Sequence, residues 1–238
     1  MVGKGVTMVY VLGSGSLHYN EELRFSLRTV QKYCPEVTRL IVAGEQALFL
    51  SDKVEYLPIK EAQGNKEYRI AMKVFEVCNY IKGDFLFMND DFFFLRPTNL
   101  ENYPNYSKGD LKATQQAQHY QKAIQDTQHY LKELGHTTHH FDVHTPIIYN
   151  AKKFQALLPH FEKSRLSTNG FVVKSLYGNI YNLEPTQIVD CKLTTLQTQS
   201  DYRKLESAVV MSCSDGSWMN GVRNYLKNSF QNKSKYEN

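Results

Sequence analysis

The sequence predicts an α/β protein: a single Rossmann-like domain with a mainly parallel central sheet and a helical insertion. Three observations carry this. Apolar runs of strand length recur at Val6–Leu12 and at residues 39–43, 54–59 and 85–88. Segments with helical spacing separate them in the order strand, helix, strand, strand, helix, strand, the pattern of a parallel sheet with helices packed on it. The run Phe85-Leu86-Phe87-Met88 has no alternation, as in a strand buried on both faces, and it stops abruptly on Asn89-Asp90-Asp91.

The first strand, Val6–Leu12, runs into Gly13-Ser14-Gly15-Ser16. A strand feeding a Gly/Ser turn and then a helix presents backbone N–H groups to a phosphate or nucleotide. Gly13 and Ser14 are therefore candidate donor contacts, although the turn is neither a Walker A loop nor a full dinucleotide fingerprint. Asn20 is placed to cap the next helix, with Glu21 and Glu22 complementing its dipole. Leu23, Leu27 and Val30 recur at helical spacing until Pro35.

After the second and third strands, Asn65 is placed to cap a helix whose buried stripe is Ile70, Val74, Val77 and Ile81. Arg69 and Lys73 lie four apart on another face. Like charges at that spacing repel by a few tenths of a kcal/mol, so an anion or a carboxylate is expected beside them. The plainer alternative is a solvated face with Lys73 balanced by Glu76. Residues 99–109 form a Tyr/Asn/Pro loop. Ala113, Ala117, Tyr120, Ile124, Thr127, Leu131 and Leu134 then recur in fours and threes, one helix of about five or six turns. This insertion, over about 110–135, is expected to cover the site or grip the acceptor.

Gly135 ends that helix. His140, Asp142 and His144 alternate, so on an extended segment they share a face, either a metal-binding face or an acid/base cluster. Zinc is disfavoured because no fourth ligand is evident. Residues 151–161 read as a helix, and a shorter one falls within 168–181. Residues 209–213 read as a late strand leading to Asp215, a second acid at a strand end, near Trp218. Residues 1–230 are read as one catalytic domain. The Asn-, Lys- and Ser-rich residues 231–238 are read as a frayed tail.

The net charge of +4 suits an anionic substrate, a membrane surface or nucleic acid and selects none of them. No stretch approaches the roughly 20 apolar residues of a transmembrane helix, and no leader is evident. Cys34, Cys78, Cys191 and Cys213 are far apart without CxxC pairing, as in a cytoplasmic protein with reduced thiols. Adjacent carboxylates at the end of a buried strand are costly unless a cation or hydrogen-bond donors meet them. In open α/β sheets, ligands bind at the carboxyl ends of strands. A divalent metal carrying phosphates is the expected ligand, since hard cations prefer oxygen. An ordinary acidic turn is the alternative.

Together these features resemble the GT-A type of nucleotide-sugar glycosyltransferase. In many such families a helix carrying an Arg precedes an apolar strand ending in a DxD or xDD motif. Here Tyr68-Arg69-Ile70-Ala71-Met72-Lys73 precedes Phe85-Leu86-Phe87-Met88-Asn89-Asp90-Asp91. The resemblance implies that Asp91, with Asn89 beside it, holds Mn²⁺ or Mg²⁺ on the donor diphosphate. It also implies that Asp90 contacts the donor sugar or ribose, and that Arg69, with Lys73 one turn on, faces the donor. Asn89 stands where a strict DxD motif has Asp. A second, patchier resemblance, over roughly residues 1–150, is to Stealth-type sugar-phosphate transferases. It rests on Asn20-Glu21-Glu22-Leu23-Arg24-Phe25-Ser26-Leu27-Arg28, on Asn89-Asp90-Asp91 followed by aromatics, and on His144-Thr145-Pro146.

The resemblance implies metal-dependent transfer of a sugar from a nucleotide-sugar, a UDP-sugar first, to a hydroxyl acceptor. The acceptor would be a bacterial surface glycan or a hydroxymethylated base in phage DNA. An inverting enzyme also needs a base on that hydroxyl, for which Asp142, Asp215 and then His144 are the candidates. Two alternatives remain: a sugar-1-phosphate transferase for capsule-type polysaccharide, and a nucleotide- or glycan-binding module without catalysis.

Overall fold

The structure, a computed structural model, describes residues 5–13, 19–112, 118–165 and 169–238. Its element order opens as the sequence predicts: β1 (Val6–Leu12), α1 (Glu21–Tyr33), β2 (Val37–Gly44), β3 (Glu55–Leu57), α2 (Lys66–Val77) and β4 (Asp84–Met88). Then follow β5 (Phe92–Phe94), β6 (Tyr106–Ser107), α3 (Gln118–Glu133), β7 (Ile147–Asn150), α4 (Ala151–Gln155), α5 (Leu158–Arg165) and α6 (Val173–Ile180). The chain closes with β8 (Thr186–Gln187), β9 (Lys192–Leu193), α7 (Gln199–Ser207), β10 (Val210–Cys213), α8 (Asp215–Ser217), a π turn at Trp218–Val222 and α9 (Arg223–Ser229).

The main sheet has five strands in the order β3-β2-β1-β4-β7. All its pairs are parallel except β4 with β7. The unbroken apolar run of β4 is explained by its position, because both faces are covered. Phe85 and Phe87 join Val9 and Ile41 under α2, α3 and α6. Leu86 and Met88 join Met8, Tyr10 and Val42 under α1. The chain leaves this sheet at the acid turn. β5 pairs antiparallel with β10, which pairs with β9, so the late strand read at 209–213 belongs to a second, three-stranded sheet. Phe92 and Phe94 face the α1 side, and Phe93 stacks on buried Trp218 with ring centroids 6.2 Å apart.

Local chemistry accounts for the ends. Asn65 caps α2, its side chain accepting from Tyr68 N–H. Asn20 precedes α1 as expected but is left-handed, with φ 56°, and its side chain makes no capping bond. Gly44 closes β2 at φ 106°, where an added Cβ would lie 2.3 Å from the Leu12 carbonyl oxygen; only glycine lets β1 and β2 end side by side there. Gly135, at φ 75°, terminates α3.

Some expectations change. Ala113 and Ala117 lie outside the described residues. Over Gln118–Glu133, Ile124, Thr127 and Leu131 are buried as predicted, while Leu134 falls past the helix and is 43% exposed. The helix read over 151–161 is two helices, α4 and α5. The tail does not fray. Tyr236 is buried in the α1-side core, and Glu237 accepts from Arg28 Nε and Nη2 at 2.8 Å each and from Arg24 at 3.1 Å. A carboxylate that finds two guanidiniums on α1 holds down a segment whose polar composition reads as loose. The four cysteines are buried and form no disulfide. Among the described residues, no helix is long and apolar enough to cross a membrane.

Candidate active site

The carboxyl ends of β1 and β4 open into a cleft of about 830 Å³. Gly13, Arg69, Lys73, Asn89, Asp90 and Asp91 line it. So do Asp142, His144 and Asp215, which arrive from the far half of the chain. Ser14 lies outside the described residues.

On the acid wall, Asp90 and Asp91 occupy the turn between β4 and β5, and Glu22 reaches the same cleft from the first turn of α1. Burial, and then the charges of Asp91 and Glu22, push the Asp90 carboxyl up. Asp91 Oδ2 accepts a hydrogen bond of 2.6 Å from Ser212 Oγ on β10. Among the described residues, no Lys, Arg or His forms an ion pair with Asp90 or Asp91. No group of three His, Cys, Asp or Glu side chains there is arranged to hold a metal unaided. Half-buried oxygen donors without a cationic partner among the described residues fit a hard divalent ion that completes its shell with phosphate and water.

Arg69 and Lys73 have their expected carboxylate, but it is Glu61, from the loop before α2, and not Glu76. Glu61 lies 2.7 Å from Lys73 Nζ and 3.1 Å from Arg69 Nη1, whereas Glu76 accepts from Asn79. Lys73 is buried and also donates to the Leu12 carbonyl at 2.9 Å, so it ties α2 to the end of β1. Arg69 Nε is buried without a hydrogen-bond partner.

On the far wall, His140, Asp142 and His144 do not share a face. A tight turn, with Val143 N–H bonded to the Phe141 carbonyl at 2.9 Å, breaks the alternation. His140 is 2% exposed and does not line the cleft, and burial pushes its imidazole down to about 4. Asp142 accepts from the Tyr120 hydroxyl of α3. Burial alone would raise its carboxyl, but Lys174, Tyr120 and the two histidines together hold it below the usual range. Lys174, on α6, is buried. It donates to the Val143 and Thr145 carbonyls at 2.8 Å each and lies 4.8 Å from the centre of the Phe92 ring.

Glu22, Glu61, Glu67, Lys174 and Asp190 were not legible as site residues in the sequence. Glu67 and Lys174 are each the second residue of a helix whose apolar stripe draws the eye. Asp190 sits in a loop without periodicity. Burial and Asp142's charge push the Glu67 carboxyl up to about 7, so the cleft holds one carboxylate biased toward ionisation beside one biased toward the acid form.

No family model and no curated protein matches the sequence. Solved structures do match. The chain superposes on an active-site mutant of LgtC with a TM-score of 0.54 at 12% identity, over 97% of this chain and 98% of that one. It superposes on the glycosyltransferase GlyE of Streptococcus pneumoniae TIGR4 with a TM-score of 0.50 at 9% identity, over 95% of this chain and 60% of that one. The chain has the GT-A-like fold of these glycosyltransferases.

Proposed function

We propose that the protein is a metal-dependent glycosyltransferase that moves a sugar from a nucleotide-sugar, a UDP-sugar first, to a hydroxyl acceptor. The observation that carries this reading is the acid pair Asp90-Asp91 at the end of β4, without a cationic partner among the described residues and facing a cleft large enough for a nucleotide-sugar. Asp91 and Asn89, with Asp90 beside them, would hold Mn²⁺ or Mg²⁺, which when bound supplies neutralising charge for the departing diphosphate. Gly13 offers its backbone to the donor at the end of β1. Arg69 lines the cleft where it would face the donor, and Lys73 sets the position of that strand end through the Leu12 carbonyl. The sugar sits between the acid wall and the segment carrying Asp142 and His144. Asp215 enters from the start of α8, and with those two completes the candidates for the acceptor's base.

The acceptor we infer is a glycan or a hydroxymethylated base in DNA, handled in the cytoplasm. Salt separates the two, since DNA binding weakens steeply as salt rises. One observation favours a second reading, sugar-1-phosphate transfer: Lys108, Lys192 and His144 line the same cleft as the acids and suit attack at phosphorus. Phosphate retained on the product would identify it. A binding module without catalysis would show nucleotide binding and no turnover.

The test is calorimetric titration of UDP, GDP and CDP, with and without Mn²⁺, on the wild type and Asp91→Ala. Binding of one nucleotide that needs both metal and Asp91 is expected. No nucleotide binding under any condition overturns the reading.

A further inference from the structure

His144 is held from both sides of its ring. Asp190, in the turn before β9, accepts from the His144 backbone N–H at 2.9 Å through Oδ1, and lies 2.7 Å from Nδ1 through Oδ2. An ionised carboxylate only accepts, so Nδ1 carries the proton and Nε2 is left with its lone pair. Lys192, the first residue of β9, brings its ammonium within 3.0 Å of Nε2. The Asp190 side chain is 16% exposed and has Lys108 3.7 Å away. Although burial opposes it, the hydrogen bond and charge of His144, and then Lys108, hold the Asp190 carboxyl down at about 2. His144 lines the cleft, whereas Asp190 does not.

We infer that Asp190 is a positioning residue: it locks the tautomer and the direction of His144, so that Nε2 takes the proton of the attacking acceptor hydroxyl. The inference rests on the transferase reading above and selects His144 among its three candidate bases. The step balances. The acceptor O–H bond breaks as its oxygen bonds to the anomeric carbon. The bond from that carbon to the diphosphate oxygen breaks, and its electron pair leaves with the diphosphate. The proton ends on Nε2. Lys192 holds Nε2 until substrate enters, and its ammonium then turns to the departing anion. The two contacts from one carboxylate matter because a ring held only at Nδ1 could still swing, whereas the added bond to its own backbone N–H sets the residue as a whole.

The test uses Asp190→Asn, read by nitrogen NMR of the His144 ring, by calorimetry with UDP and Mn²⁺, and by steady-state transfer. In the wild type, the ring is expected as the Nδ1–H tautomer. In Asp190→Asn, whose amide can donate to Nδ1, the ring is expected to shift to Nε2–H, with nucleotide affinity within about twofold. The rate kcat is expected to fall about 100-fold, the scale of one proton-transfer group, with little change in acceptor KM. Adding His144→Ala is expected to bring no further loss, because the two act as a unit. Asp190→Glu, which keeps the charge on a longer arm, is expected to restore the tautomer and part of the rate, and it serves if the asparagine variant does not fold. An unchanged tautomer, an unchanged kcat, or a loss of nucleotide binding parallel to kcat would each overturn the inference. The tautomer spectrum needs no turnover, so a wild type that binds nucleotide without transferring sugar counts against the transferase reading while still deciding the role of Asp190.

Discussion

Ser212 on β10 donates a 2.6 Å hydrogen bond to Asp91 Oδ2, so the second sheet reaches back to steady the carboxylate at the end of the first. Ser212 is fully buried and its partner is charged; a bond of this kind contributes about 1.5–3 kcal/mol. Ser212→Ala is expected to lower the affinity for UDP with Mn²⁺ by about tenfold and to lower the melting temperature by a few degrees. Calorimetry and thermal unfolding on the same sample check both.

Asp91→Asn keeps the shape of the side chain and removes one of two adjacent negative charges. Metal-dependent nucleotide binding is expected to disappear, while stability without metal stays level or rises, because adjacent like charges repel. A structural turn would behave in the opposite way, losing stability and nothing else. Denaturant titration beside calorimetry separates the two outcomes.

Glu67 makes stability depend on pH. Its folded carboxyl titrates near 7, raised from the usual 4.5 first by burial and then by the charge of Asp142. A carboxyl raised on folding contributes stability below pH 4.5, and that contribution is lost as pH rises through 7. Glu67→Gln is therefore expected to match the wild type near pH 5 and to exceed it near pH 8, by on the order of 2 kcal/mol. Urea midpoints at the two pH values measure the difference.

Glu237 is the carboxylate that seats the C-terminus. Its side chain is fully buried, and the Arg28 side chain is 11% exposed. Removing one partner of a buried pair leaves the other uncompensated, so Glu237→Ala is expected to cost about 3–5 kcal/mol. Deleting residues 231–238 is expected to cost more, because Tyr236 leaves the core with it. A deletion as stable as the whole chain would show that the segment is dispensable.

Much of the first half was legible because its signals are local. β1, α1, α2 and β4 follow from apolar runs, helical spacing and the Asn65 cap, each an interaction within a few residues. The acid pair stood out because an apolar strand cannot end on two carboxylates without consequence. The second half was less legible. Whether residues 151–161 make one helix or two depends on what packs against them. β10 alone cannot reveal that its partners are β5 and β9. His140, Asp142 and His144 read as one face because alternation is the simplest rule for an extended chain, and a single three-residue turn defeats it.

The sequence by itself determined the class of fold and the wall of acids at the end of β4, since both follow from patterns along neighbouring residues. Only the tertiary structure decided which charges meet. Glu61 answers Arg69 and Lys73, Ser212 steadies Asp91, Asp190 holds His144 and Glu237 anchors α1 through Arg28. Ser212 joins Asp91 across 121 residues and Glu237 joins Arg28 across 209. An ion pair or a hydrogen bond depends on distance in space, and periodicity along the chain carries no record of it.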